Sequence, residues 1–247
     1  MDWTDEAIVL AARGHGEAAL LVVLLTREHG RHVGLVRGGQ GKRALYQPGN
    51  RVRASWRARL AEHLGHYDCE PVASVAAGLL DDPLRLAGLS AACAVAEAAL
   101  PEREPHADIF AGMAALIGGF AGPYWAQTYV RWEIGVLAGL GFGLDLASCA
   151  ATGTHDDLAY VSPRSGRAVS LSAGEAFRDR LLCLPGFLAG RGRTDPAGAD
   201  AEVVEGLALT GYFLERHVLG PAGHAMPAAR TRFVDRFERS ATISSSE

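Results

Sequence analysis

The sequence predicts an α+β fold: an N-terminal five-stranded small barrel over residues 1–80, then an all-α C-terminal domain over 81–247 with a loop insertion at about 141–171. Three observations lead there. Residues 6–72 break into short apolar segments divided by Gly, Pro and polar turns, as strands do. Residues 51–60 alternate strictly between basic or polar and apolar side chains, the period of a half-buried strand. Beyond Pro71 the chain turns Ala- and Leu-rich, with apolar residues at helical spacing.

The elements follow in order. EAIVLAAR (6–13) and AALLVVLLT (18–26) form a hairpin around Gly14-His15-Gly16, and residues 32–37 form a third strand after the turn ending at Gly30. GGQGKRALYQPGN (38–50) is a loop, because Gly and Pro interrupt any regular period. Residues 51–59 are the fourth strand. Its parity puts Arg51, Arg53, Ser55, Arg57 and Arg59 on one face and Val52, Ala54, Trp56, Ala58 and Leu60 on the other. With a fifth strand over 66–72, the count and lengths are those of a small barrel such as an oligonucleotide-binding fold, the OB-fold. Helices are expected at 81–100, 107–120, 123–140, 172–184, 200–219 and 228–239. A short strand is expected at 158–161, and the tail SATISSSE is expected to be disordered.

Bulk properties narrow the function. No run of 18 apolar residues is present, and the acidic N-terminal stretch is unlike a secretion signal, so a cytoplasmic location is expected. Cys69, Cys93, Cys149 and Cys183 stand singly, without the spacing of a disulfide framework or zinc ribbon. The formal net charge is -4, yet residues 30–61 carry Arg31, Arg37, Lys42, Arg43, Arg51, Arg53, Arg57 and Arg59 without one Asp or Glu. Such a concentration attracts a polyanion.

Cofactor and catalytic motifs fail in detail. Gly41-Lys42 has Val36 and Arg43 where a phosphate-binding loop needs Gly and Ser or Thr, and Ala44 spoils a dinucleotide fingerprint. No nucleophile elbow, zinc-protease helix or carboxylate pair appears. Binding is therefore favoured over catalysis, with no cofactor. Single-stranded bases need aromatic partners. Trp56 points inward by parity, while Tyr46 in the loop could either pack or stack. Trp125, Tyr129, Trp132 and Val136 make a core stripe on the third helix, beside which Glu133 reads as a buried ion-pairing carboxylate. Gln127 and Arg131 lie opposite, toward solvent or a partner. The other reading of the charge is a basic barrel on a helical scaffold that binds an acidic protein without nucleic acid.

Several stretches, in their order along the chain, resemble the bacterial recombination mediator RecO family. DEAIVLAARGHGEAALLVVLLTREHG is similar to the family's first hairpin, and GLVRGGQGKR to its basic loop. YVRWEIGVLAGLGFGLDLASC resembles the helix that enters its Cys-containing insertion, and RHVLG and PAARTRFVDRF its C-terminal helices. The resemblance implies a non-enzymatic, nucleoid-associated protein of recombinational repair. It implies binding to single- and double-stranded DNA, annealing of complementary strands, and RecA loading with the partner RecR. It also implies a contact between the helical domain and the C-terminal tail of single-strand-binding protein, for which Arg131 is a candidate carboxylate ligand. The chain departs from the family's zinc pattern: Cys149 matches its first ligand, but Thr152, Val169 and Ser172 occupy the other positions. One thiolate cannot hold a structural zinc, so no metal is expected.

Overall fold

The computed structural model describes residues 1–192 and 196–244. The chain divides into two compact units, Met1–Phe120 with Pro227–Phe233, and Ala121–Met226 with Val234–Glu247.

In the first unit, β1 (Asp2–His15), β2 (Ala19–Thr26), β3 (Gly30–Val36), β4 (Arg51–Arg57) and β5 (His66–Ala73) close a barrel in the order β1-β2-β3-β5-β4. β1 is long enough to serve two neighbours. Its first half pairs with β4 through Asp2↔Arg57 to Ile8↔Arg51, and its second half pairs with β2. A register shift between Val9 and Ala11 separates the halves, a bulge that bends the strand around the barrel. β3 and β5 complete closure with a parallel contact, Leu35↔His66.

Inward side chains of the five strands, including Ala7, Val9, Leu24, Val52, Ala54, Trp56 and Tyr67, form one core. Trp56 is inward as its parity predicts, 2% exposed, and its indole Nε1–H donates to the Leu64 carbonyl at 3.0 Å. The unbroken apolar run of β2 has a separate cause. Ile8, Leu10, Val23 and Leu25, on the opposite face, are buried too, because helix α1 (Pro83–Ala99) packs across β1 and β2. Its Asp82 cap accepts from the Arg85 amide at 3.0 Å, and Pro83 sits in the first turn where its missing N–H costs nothing. Helix α2 (Ala107–Gly119) ends the continuous part of this unit.

In the second unit, α3 (Trp125–Gly139) packs against α5 (Pro196–Phe213). Gly206 of α5 permits a close approach, since a Cβ there would stand 2.9 Å from Val130. The predicted stripe of Trp125, Tyr129, Trp132 and Val136 is buried. Glu133 is fully buried and accepts a hydrogen bond from the Thr210 hydroxyl. Gln127, expected to face solvent or a partner, is only 8% exposed.

The insertion is more ordered than a loop: β6 (Leu158–Val161), β7 (Ala168–Ser170) and β8 (Leu182–Cys183) form a three-stranded sheet in the order β7-β6-β8. The helix expected at 172–184 does not form. A four-residue helix, α4 (Leu171–Gly174), and a 3-10 turn (Glu175–Arg180) lead instead into β8. Helical spacing misleads here because Gly174 must pass against the Tyr160 ring, where a Cβ would come within 2.4 Å, and because β6 takes residues 182–183 as its second partner. After α5 the backbone continues as a π-helical stretch (Leu214–Leu219), and α6 (Ala228–Ser244) completes the chain. Residues 240–244, expected to be disordered, are therefore helical; 245–247 lie outside the described residues. No helix among the described residues is long and apolar enough to cross a membrane.

Candidate nucleic-acid interface

The alternation of β4 holds: Arg53 and Arg57 are exposed, Arg51 and Ser55 are half-buried, and Val52, Ala54 and Trp56 are buried. The neighbours of the row are what the linear charge pattern conceals. Directly opposed residues in an antiparallel pair share a face. Arg53 stands between Glu6 of β1 and Glu70 of β5, Ser55 beside Asp68, and Arg57 opposite Asp2. Arg51 comes within 3.9 Å of Glu6. The hydrogen bond from Arg27, with help from the Arg27, Arg51 and Arg53 charges, holds the Glu6 carboxyl below its usual range. The strand expected to present a purely basic surface thus lies in a sheet face of mixed charge.

Of the row only Arg51 forms an ion pair among the described residues; Arg53 and Arg57 share a face with acids, whereas the loop between β3 and β4 lies outside that strand register. Arg37, Lys42 and Arg43 are exposed. Among the described residues none of them has a carboxylate within ion-pairing distance. Gly38, in the left-handed region at φ 65°, turns the chain into a 3-10 turn (Gly39–Lys42). Asn50 closes the loop: its Nδ2 donates to the carbonyls of Ala44 at 2.9 Å and Leu45 at 3.2 Å, and its Oδ1 accepts from the Ala76 amide at 3.2 Å. Gly49, at φ 89°, lies against Leu89, and its amide donates to the Val9 carbonyl at 2.8 Å. The cations therefore sit on a shaped platform.

Three expected contacts are placed differently. Tyr46 is 2% exposed and packs in the barrel core, where burial, with Cys69 beside it, pushes its hydroxyl pKa up. Arg31 donates from Nε to the Leu100 carbonyl at 2.7 Å, and its own carbonyl accepts from the Arg103 amide at 2.8 Å. Its guanidinium is committed to the segment after α1. Arg59 lies beyond the end of β4, exposed in the turn toward β5. In the second unit, Arg131 is exposed, donates to the Phe187 carbonyl at 3.0 Å, and lies 5.0 Å over the Phe187 ring.

An aromatic cluster at one end of the barrel escaped the sequence reading. Trp3 stacks on His29 with centroids 4.1 Å apart and lies 5.7 Å from Trp56. His32 donates or accepts at the Tyr67 hydroxyl across 2.8 Å, and burial lowers its pKa to about 4. These residues come from four strands and one turn with no shared period. Strand register sets Trp56 between Trp3 of β1 and Tyr67 of β5.

The insertion retains a tight turn around Cys149, whose amide donates to the Thr154 carbonyl at 2.7 Å and whose carbonyl accepts from the Gly153 amide at 2.8 Å. The Ser170 amide donates to Cys149 Sγ at 3.2 Å. Burial opposes ionisation of this thiol, but hydrogen bonds from Ser170 and Thr152 outweigh it and bring the pKa down to about 6. No group of three or more His, Cys, Asp or Glu that could hold a metal ion occurs among the described residues.

Comparison with known proteins gives the lineage. Residues 1–75 match the family model for the Recombination protein O N terminal region, and residues 80–225 match that for its C terminal region. The chain is 60% identical over 248 residues to the DNA repair protein RecO of Rhodospirillum centenum, covering 99% of this chain and 98% of that one. It is 56% identical to that of Rhodospirillum rubrum, covering 97% of each, and 52% identical to that of Methylobacterium nodulans, covering 95% and 97%. A five-stranded barrel, a helical region after it, and family matches to both place this chain in the RecO family.

Proposed function

We propose that this protein is a non-catalytic mediator of recombinational DNA repair, cytoplasmic and associated with the nucleoid. It binds single- and double-stranded DNA, anneals complementary strands, and with RecR promotes loading of RecA onto strands coated by single-strand-binding protein. Membership of the family supports the repair role. The observation that carries the binding step is the loop presenting Arg37, Lys42 and Arg43, exposed and without an ion pair among the described residues, with Arg53, Arg57 and Arg59 of β4 and its following turn as further phosphate ligands. Contacts of this kind read the backbone and not the sequence. The tail of single-strand-binding protein docks on the helical domain, and Arg131 is its carboxylate ligand, exchanging the Phe187 carbonyl for the tail.

Anisotropy of a labelled single strand, titrated at several salt concentrations, tests the binding step. Six phosphate contacts on a single strand predict that log K falls with log salt at a slope of roughly -4. Binding that ignores salt overturns the reading, as does binding that survives charge reversal of the loop cations.

A further inference from the structure

At the end of the barrel where β1 begins and β4 finishes, a cavity of about 520 Å³ opens to solvent. Trp3, His29, His32, Trp56 and Arg103 wall it. We propose that this cavity receives an unpaired nucleobase of a single strand whose phosphates are held by the neighbouring arginines, an inference that rests on the DNA binding proposed above.

The lining suits a flat π-system. Trp3 and His29 are stacked with an interplanar angle of 8°, and the His29 side chain remains 35% exposed. His32 meets Trp56 edge-on, with centroids 5.0 Å apart. His32 and Trp56 are buried and form the floor, while the partly exposed Trp3 and His29 offer ring surface on which bases of any sequence stack.

The site is also built in advance. Asp5, 6% exposed at its side chain, holds His29 Nδ1 at 3.1 Å. Arg103 donates from Nη1 to the Ala61 carbonyl at 2.6 Å and from Nη2 to the His63 carbonyl at 3.0 Å, fixing the turn that forms one wall. Little ordering is left to oppose binding.

Charge at the cavity is mixed, so it is the aromatic lining that argues for a base. Arg103 pairs with Glu102 at 3.4 Å, and Asp5 is held against His29 at 3.1 Å. Of the two carboxylates in the lining, Asp2 stands directly across the sheet from Arg57, and Glu28 is the other. Phosphate ligands adjoin the cavity. Arg57 follows Trp56 in β4, and Arg59 belongs to the same turn as Ala61; both are exposed. A duplex keeps its bases stacked, so the cavity favours single strands.

The test uses the full chain and a single strand carrying one 2-aminopurine, with a duplex of the same sequence as reference. Wild-type protein is expected to change the analogue's emission on binding. Trp3→Ala and His29→Ala are each expected to remove that change and to lower the single-strand to duplex affinity ratio roughly tenfold, within the range of base–aromatic stacking. Trp3→Phe should retain both. His29→Ala replaces a partly exposed side chain, so it decides the matter if Trp3→Ala does not fold. If His29→Ala keeps the emission change and the affinity ratio while neutralising the loop cations weakens binding and lowers its salt slope, the cavity holds no base and the DNA reading stands. If the wild-type protein binds neither strand form, the DNA reading itself falls, and this inference with it.

Discussion

Replacing Arg37, Lys42 and Arg43 together by alanine removes the cations that the fold leaves unneutralised while sparing every hydrogen bond made by Asn50. Each phosphate contact on a single strand contributes about 0.7 to the salt slope, so six contacts give roughly -4 and the three that remain roughly -2. Between about 50 and about 200 mM salt, the wild-type affinity should then fall by about 300-fold and the variant's by about 20-fold. At low salt the variant should bind more weakly. The assay is anisotropy of a labelled oligonucleotide across that salt range, with a thermal melt to establish that the variant is folded. Arg53→Ala supplies an internal control. Glu6 and Glu70 flank Arg53 in the sheet register, so its removal should cost less affinity per charge than the loop triple. An unchanged slope in the triple variant, or a larger effect per charge at Arg53, would refute the assignment of DNA binding to the loop.

Other outcomes follow from the same geometry. Asn50→Ala leaves the carbonyls of Ala44 and Leu45 and the amide of Ala76 without their buried partner, and should destabilise the protein by roughly 3 kcal/mol, read from the urea midpoint. The pKa of His32 is depressed to about 4 in the fold, from about 6.5 in an unfolded chain. The folded state therefore favours the neutral ring; this stability is complete above the unfolded value and lost as pH falls through the folded one. A His32→Gln variant should lose less stability than wild type on acidification over that window, measured by denaturation at each pH. The Cys149 thiol, brought down to about 6, should titrate near that value by thiolate absorbance, a signal absent in Cys149→Ser. Elemental analysis of the purified protein should find no stoichiometric zinc, because Thr152, Val169 and Ser172 offer no thiolates.

Much of the barrel was legible in the linear pattern because strand parity is a local property. The alternation of residues 51–57 sent Trp56 into the core and Arg53 and Arg57 outward, as found. The spacing on α3 likewise buried Trp125, Tyr129, Trp132 and Val136. Where local spacing had to compete with a distant partner it failed. Residues 172–184 have helical spacing, yet β6 takes 182–183 as a strand. Gln127 looked free to face solvent, but a polar residue beside a core stripe is buried or exposed according to what packs on it.

By itself, then, the sequence determined the five strands of the barrel and the helices outside residues 168–184, the concentration of positive charge in residues 30–61, and the absence of the paired thiolates that bind zinc. These depend only on which residues stand where along the chain. Tertiary structure alone decided how that charge is used. Strand register brought Glu6 and Glu70 to Arg53, and the segment after α1 took the Arg31 guanidinium, while among the described residues Arg37, Lys42 and Arg43 of the loop are left without an ion pair. It also buried Tyr46 and assembled Trp3, His29 and Trp56 at the barrel's end. The physical reason is common to all of these. An electrostatic field or an aromatic wall is a sum over neighbours in space, and barrel closure makes neighbours of residues that are far apart in sequence.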